Sequence, residues 1–272
     1  MNHFFRHTLI CLLCLISLSF YQQLSAQRTG YLSAGLGTGM YFGDISDSWI
    51  NNEFHPSVSI QGGYYVAPGV SFRGVFTHGT VGAADGAARN QARWNRNLSF
   101  RTSISELQAG VVYELLTDKA FRQRWKRNVH VSPLIFLGIS GLYMNPKAYY
   151  EGSWEALQPL GTEGQYLSNH DKGPYSRFQV SIPSGIGVTV RLPSRVCLWA
   201  EAGFRKTFTD YLDDVSTTYP DLQELVKVSG PLAGNLSNRS SETFPTGSPR
   251  GNAEAKDAYA FISMGIGYFF GR

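Results

Sequence analysis

The sequence has few cysteines, few charged residues and, after its first residues, no long apolar run. Its three cysteines include Cys11 and Cys14, which lie in a segment that we expect to be removed. Cys197 therefore cannot form an internal disulfide, and nothing around it indicates a metal site. The net charge of +4 is too small to indicate a nucleic-acid-binding protein. No apolar run of about 18 residues follows Ala26, which argues against a transmembrane helix there.

The beginning of the chain has the features of a secretory signal peptide. Arg6 precedes an apolar run at residues 9–20, and a small-residue cleavage site ends at Ala26. We therefore predict a signal peptide at residues 1–26 and one domain at residues 27–272. The 29 glycines, the aromatic content of 14% and the lack of a collagen-like repeat indicate an all-β chain.

The clearest strand pattern lies at the end of the chain, in residues 258–270. Side chains alternate across a strand, and here one face is apolar while the other is mainly glycine and serine. A soluble sheet would turn a polar face to water, but glycine and serine neither pack well nor carry charge. The pattern is typical of a strand with one face on lipid and the other on a narrow lumen. The apolar face consists of Ala260, Ile262, Met264, Ile266, Tyr268 and Phe270.

Eight segments share this pattern, and the connections between them alternate between long and short. Outer-membrane barrels have long external loops and short periplasmic turns. We therefore predict an all-β fold: an eight-stranded antiparallel transmembrane β-barrel in the cell outer membrane, with both termini in the periplasm. A soluble lipocalin-like barrel is the alternative, but it would expose strand glycines and weaken every strand. The predicted strands are residues 31–42, 56–66, 70–78, 101–115, 129–143, 175–192, 196–208 and 258–270.

An eight-stranded barrel encloses a space that side chains nearly fill. The alternation places charges of both signs in that space, and buried charges must pair. We therefore expect an ion network in the lumen rather than a wide diffusion pore. The charges expected inside are Arg73, Glu106, Glu114, Arg191, Glu201 and Arg205.

The sequence contains no recognisable catalytic arrangement. His78 is expected near the external end of the third strand and His170 in an external loop, but neither accompanies a serine, base and acid set. A barrel that modifies lipids or peptides would need such a nucleophile or base near the membrane edge. We therefore predict no enzyme activity, no cofactor and no metal centre.

Acidic residues follow two of the predicted strands. Asp44 lies after the first strand, and Asp210, Asp213 and Asp214 lie after the seventh. The eighth strand runs between those two, so both stretches emerge close together on the same side of the barrel. We favour a hydrogen-bonded corner in which the carboxylates cap backbone amides. The alternative is a divalent-cation site, although the spacing matches no defined calcium loop.

The short connection at residues 117–128 is strongly basic. It is expected in the periplasm, where its charge either keeps the turn soluble or contacts an acidic periplasmic partner or lipid headgroups. The candidate partner-contact residues are Lys119, Arg122, Arg124, Lys126 and Arg127.

The acidic stretches also carry a resemblance to a known family. The segment Tyr41-Phe-Gly-Asp44 and the longer segment Phe208-Thr-Asp-Tyr-Leu-Asp-Asp-Val-Ser-Thr-Thr-Tyr219 resemble the PorG-like outer-membrane barrels of the Bacteroidetes phylum. That family includes a component of the type IX secretion system. The resemblance marks the following as family-signature residues: Tyr41, Phe42, Gly43, Asp44, Thr209, Asp210, Tyr211, Leu212, Asp213, Asp214, Val215, Ser216 and Tyr219.

The resemblance implies a non-enzymatic structural barrel of the type IX protein secretion machinery. Such a barrel associates with a periplasmic ring built from a lipoprotein and its partner protein. Two other functions stay open: a stand-alone surface barrel whose external loops bind ligands or cells, and a lipid-modifying barrel enzyme. In each case outer-membrane lipid surrounds the wall, and no nucleic acid is expected as a partner.

Overall fold

The computed structural model describes residues 29–46, 52–87, 91–116, 129–168, 173–240 and 242–270. The expected signal peptide, the basic connection at residues 117–128 and His170 lie outside these ranges.

In the described part of the chain, ten strands form one antiparallel sheet. They are β1 (Gly30–Phe42), β2 (Asn52–Glu53), β3 (His55–Ala67), β4 (Val70–Ala84), β5 (Ser99–Glu114), β6 (His130–Tyr150), β7 (Ser153–Ala156), β8 (Phe178–Arg191), β9 (Val196–Thr207) and β10 (Ala258–Phe270).

The sheet closes on itself to form a barrel. The strands neighbour one another in the order β4-β3-β1-β10-β9-β8-β6-β5, and β5 pairs back onto β4. The first and last strands pair from Gly30 opposite Phe270 to Phe42 opposite Ala258. The short strands β2 and β7 pair with the outer ends of β4 and β6. The predicted eight-stranded antiparallel barrel is therefore confirmed, and its closure pairs the edges that an open sheet would expose.

The barrel wall is apolar outside and polar inside. Leu36 and Ile139 point outward and are each 68% exposed, whereas Ser33 and Ser59 are buried inside. In water this arrangement would leave a large apolar surface uncovered, but in a bilayer the same surface faces lipid. Since every strand backbone in lipid must be paired, the closed barrel with this polarity is an outer-membrane protein.

Two strands are longer than the sequence pattern predicts. β4 runs to Ala84 rather than residue 78, and β6 runs to Tyr150 rather than residue 143. Their outer ends pair with the first residues of β5, and β6 also pairs with β7. The residues that we predicted as the start of external loops therefore continue the sheet beyond the lipid-facing part of the wall.

Short helices occur in the external connections. They are α1 (Gln91–Arg96), α2 (Leu222–Ser229) and α3 (Pro231–Ser237). The side chain of Asp221 caps α2 by accepting hydrogen bonds from the backbone N–H groups of Gln223 and Glu224. Across the described residues, no helix is both long and apolar enough to cross a membrane.

The six charged side chains that we expected in the lumen lie there as pairs. All six lie within the barrel wall strands and are largely removed from water. Pairing offsets the cost of taking each charge out of water. Arg73 Nη1 lies 2.5 Å from Glu201 Oε1, Arg191 Nη2 lies 2.5 Å from Glu114 Oε1, and Arg205 Nε lies 3.4 Å from Glu106 Oε1.

We expect loss of one partner of a lumen pair to destabilise the barrel strongly. Arg191→Met leaves the buried Glu114 carboxylate without its cation, so the free energy of unfolding should fall by about 3–5 kcal/mol. Urea unfolding in lipid vesicles measures this loss. The double variant Arg191→Met/Glu114→Leu should lose less, and Arg195→Ala, at an exposed turn, should be close to neutral. A double variant as unstable as the sum of its single variants would contradict the pairing argument.

Candidate functional site: a cap on the outer mouth

The segments that follow β1 and β9 meet over the outer mouth of the barrel. Residues 209–219 turn inward instead of projecting, so Leu212 and Val215 are buried. Both side chains belong to an apolar cluster with inward-facing residues of the strand ends, among them Tyr41, Phe100 and Met144. We call the packed external segments at residues 43–46, 162–165, 209–219 and 249–257 the cap.

Tyr41 joins the cap to the barrel wall. Its hydroxyl oxygen lies 2.6 Å from Asp213 Oδ2 and 2.8 Å from Asp257 Oδ1. One hydroxyl proton satisfies only one of these carboxylates, so the second contact requires a proton on a carboxyl group. Burial raises the pKa of Asp213 well above its usual range, and the neighbouring Asp257 carboxylate raises it further. Protonation of this buried carboxyl pair is therefore favoured relative to exposed carboxyl groups.

The same carboxylates also accept hydrogen bonds from the backbone of residues 212–215. Asp213 Oδ1 accepts a hydrogen bond from Val215 N, and Asp257 Oδ2 accepts one from Leu212 N, both at 2.9 Å. Gly43 lies against this group, and a Cβ atom there would clash with the Asp257 carboxylate and the Tyr41 hydroxyl. Only glycine fits this position, which gives the Gly43 of the signature a structural reason.

Asp214 binds the external connection between β6 and β8. It adopts a positive φ of 66° and accepts hydrogen bonds from the Tyr175 hydroxyl at 2.6 Å and from the Thr162 hydroxyl. Burial raises the pKa of Asp214 to about 6, although the nearby Arg250 guanidinium opposes the shift. The Tyr175 ring also stacks on Tyr211 with centroids 4.5 Å apart.

Glu163 and Arg250 form a second centre in the cap, and sequence reasoning missed both residues. Glu163 accepts hydrogen bonds from the backbone N–H groups of Ser216 and Thr217 at 2.8 and 3.0 Å. Arg250 Nη1 donates to Glu163 Oε1 at 3.0 Å and to the Asp214 carbonyl at 2.6 Å. Both charged side chains are almost fully buried. They hold the backbone of residues 214–217, whereas Tyr41 binds the side chain of Asp213.

Arg96 of α1 connects the loop after β4 to the cap. Its guanidinium forms an ion pair with Asp85 at 2.7 Å and donates to the Asp44 and Arg250 carbonyls at 2.9 and 2.5 Å. All the long connections therefore contribute side chains to one hydrogen-bonded unit.

The remaining acidic signature residues differ in their surroundings. Asp44 Oδ2 accepts a hydrogen bond from Asn252 N at 2.9 Å. Asp210 is buried beside the side chain of Ser216. Burial raises the pKa of Asp210 to about 7, and the Asp44 charge contributes in the same direction. Within the described residues, no group of three or more His, Cys, Asp or Glu side chains is arranged to hold a metal ion.

Other signature residues support the cap by packing. Tyr219 stacks on Phe244 with ring centroids 4.7 Å apart, and the Thr209 hydroxyl accepts a hydrogen bond from Tyr211 N at 3.2 Å. Phe42, in contrast, lies on the outer wall beside the exposed Phe204, with ring centroids 6.1 Å apart.

The structure places His78 away from the cap, on the outward face of β4. Its Nδ1 lies 2.9 Å from Ser105 Oγ, and both side chains are exposed to the surroundings of the barrel. His170 and the cations of residues 117–128 lie outside the described residues.

The comparisons with known proteins give a family and no activity. A family model described as Domain of unknown function (DUF6089) matches residues 6–245. No curated protein matches the sequence.

Solved outer-membrane proteins are similar at low identity. The attachment invasion locus protein Ail of Yersinia pestis is 11% identical, with a TM-score of 0.40, 90% of this chain covered and 99% of that chain. OprG of Pseudomonas aeruginosa is 7% identical, with a TM-score of 0.44, and the match covers 90% of this chain and 96% of OprG. The neisserial surface protein A is 10% identical, with a TM-score of 0.43, and the match covers 88% of this chain and 96% of that protein. The barrel assignment rests on the strand pairing of this chain and not on these likenesses.

We expect Tyr41→Phe to loosen the cap without opening the barrel. The change removes the hydroxyl between two buried carboxyl groups, which should reduce the free energy of cap opening by about 1–3 kcal/mol. Hydrogen exchange of the backbone amides in residues 209–219 measures this loss. Tyr149→Phe, on the exposed outer face, serves as the matched control. Equal protection of the segment in both variants would contradict the role of Tyr41.

The cap should become less stable as pH rises. The folded pKa of Asp214, about 6, is above its usual value of 3.8, so the folded cap binds more protons than the unfolded one. Its stabilisation is complete below pH 4 and is lost as pH rises through 6. The raised pKa values of Asp210 and Asp213 extend this loss to higher pH. Proteolysis of the cap between pH 4 and 8 measures the effect, which Asp214→Asn should flatten below pH 7.

Proposed function

We propose that this chain, which belongs to the family described as Domain of unknown function (DUF6089), is a non-enzymatic structural barrel of the type IX protein secretion machinery. Its role is to anchor a periplasmic ring in the outer membrane. One observation carries the proposal: the barrel is closed both within its lumen and at its outer mouth. Paired charges cross the lumen, and the cap packs over its outer end. A closed barrel acts through its rims and its wall rather than by conducting solutes.

The cap supports the proposed family role. The two segments that resemble the PorG-like barrels meet in space, where Tyr41 binds Asp213 and the backbone of Leu212 is held by Asp257. These contacts give a structural reason for both segments to occur together, because each segment holds the other in place. We infer that both segments serve to close the outer end of the barrel, and that a partner binds at the periplasmic rim.

The basic connection at residues 117–128 is the proposed contact with the ring. Its net positive charge suits an acidic surface on a periplasmic lipoprotein or on the protein bound to it. The strands on either side of it end at Glu114 and begin at His130, at the rim opposite to the cap.

Charge reversal tests this contact. The variant Lys119→Glu/Arg122→Glu/Arg124→Glu should reduce recovery of the periplasmic ring with the tagged barrel at least fivefold, because like charges repel across the contact. Mild-detergent purification with mass spectrometry measures the recovery. Arg195→Glu, in the exposed turn between β8 and β9, is the control and should keep the ring. Wild-type barrel recovered without a ring would contradict the secretion role, whereas equal recovery with both variants would contradict only this contact.

The second candidate function is a stand-alone surface barrel that binds a ligand or a cell through its external face. The observation that favours it is α2, which exposes Val226 and Val228 in an external connection while Leu225 is buried. Val226→Ser/Val228→Ser should weaken such binding and leave ring recovery unchanged. An enzyme is the third candidate, and it requires an activity that His78→Ala or His170→Ala abolishes.

A further inference from the structure

The sheet continues beyond the lipid-facing wall on one side of the barrel. On β5 the outward side chains change from Leu107, which is 67% exposed, to Ser105, Ser103 and Arg101. On β6 they change from Ile139 to Tyr143 and then to polar residues. The inner face of this extension packs on the cap, but its outward face lies directly above the apolar wall. We call this outward face the outer ledge; it comprises Arg101, Ser103, Tyr143, Asn145, Lys147, Tyr149, Trp154 and Arg177.

Cations and aromatic rings alternate on the outer ledge. Arg101 and Lys147 are direct cross-strand partners, so their side chains share one face of the sheet. The Arg101 guanidinium lies 4.5 Å from the centroid of the Trp154 ring, and Trp154 packs against Tyr149 at 5.5 Å. This arrangement holds an arginine beside a flat aromatic surface while leaving it partly exposed.

A third cation lies lower on the same face. Arg177 is 5.7 Å from the centroid of the Tyr143 ring and donates a hydrogen bond to Asn145 Oδ1 at 3.3 Å. Tyr143 packs in turn against Phe178, whose side chain is 75% exposed on the lipid-facing wall. Arg177 therefore lies at the level where the apolar wall ends.

Among the described residues, Glu53 contacts these cations directly, whereas Glu155 lies opposite the buried Ala148 on the other face of the β6–β7 pair and Glu151 lies in the turn between the two strands. Glu53 Oε2 accepts a hydrogen bond from Arg101 Nε at 3.0 Å and also lies 2.9 Å from His55 Nε2. The contact uses Nε of Arg101 and not its terminal nitrogens, which are the groups that bind phosphate in pairs. The outer ledge carries three cations, Arg101, Lys147 and Arg177, and only Arg101 has a carboxylate partner among the described residues. The outer ledge therefore has an excess of positive charge.

We propose that the outer ledge binds the phosphorylated saccharide headgroup of an outer-leaflet glycolipid. The ledge is continuous with the wall, so a lipid whose chains lie against Ile139 and Leu107 brings its headgroup to these cations. Lys147 lies four residues beyond Tyr143, which is about 13 Å along a strand and about 10 Å along the membrane normal for a tilted strand. A phospholipid phosphate lies near the aromatic belt, whereas a phosphate on the inner-core sugars of a glycolipid lies farther from the bilayer, at the level of Lys147.

Binding of purified glycolipid to the full chain in detergent tests the proposal. The probe is bisphosphorylated lipid A carrying inner-core sugars, and native mass spectrometry measures the bound fraction. Wild type should bind it, and Arg101→Ala/Lys147→Ala should bind at least tenfold more weakly. Arg101→Lys/Lys147→Arg keeps the charges and should retain most of the affinity. Arg195→Ala, a cation at the opposite rim, should leave the affinity unchanged.

Each other outcome overturns a stated part of the proposal. Equal binding by the Arg101→Ala/Lys147→Ala variant, with an unchanged unfolding midpoint, would remove the outer ledge as the site. Equal binding of the same glycolipid after enzymatic removal of its phosphates would contradict phosphate recognition. Equal binding of phosphatidylglycerol would show that the site takes any anionic lipid and would contradict the saccharide headgroup.

Discussion

Closure of the sheet is the constraint on which the rest of the structure depends. Hydrocarbon supplies no hydrogen bonds to a strand backbone, so each barrel strand must pair on both sides. The pairing of β1 with β10 and of β4 with β5 meets this requirement. Closure also creates an interior that water reaches poorly. Polar and charged side chains at the inward positions therefore need partners inside the barrel.

The inward positions meet this demand in two ways. Near the middle of the barrel, charged side chains pair across the lumen, as Arg73 does with Glu201. Toward the outer end the lining becomes apolar, and Tyr41, Phe100 and Met144 pack against Leu212 and Val215 of the cap. The cap is thus a small hydrophobic core built on top of an ionic lumen. Its buried carboxyl groups are tolerated because hydrogen bonds or protonation remove their cost.

The sequence predicted the barrel better than it predicted the cap. Alternation along residues 258–270 identified β10 at its true bounds, because side-chain period and lipid exposure are local properties. The end of β6 was placed too early, since Asn145 and Pro146 resemble a loop. Pro146 stays in the strand opposite Thr102, where its buried ring lies under the cap.

The cap residues outside the signature were harder to find. Glu163 and Arg250 are ordinary charged loop residues until the fold brings them to residues 214–217. Asp257 had a usable signal, because it is the acidic residue immediately before the closing strand. Its role still depends on Tyr41, which lies 216 positions away in the sequence. Such pairings follow from tertiary contact and not from local pattern.

The distance along the chain between Tyr41 and its two carboxyl partners links the cap to closure of the barrel. Tyr41 lies at the end of β1, and Asp257 lies immediately before β10, so their contact, across 216 residues, and the pairing of β1 with β10 close the same long loop. We therefore expect a complete cap only in a barrel whose first and last strands are paired. A protease-resistant cap on the cell surface would therefore identify a molecule in which the barrel has closed.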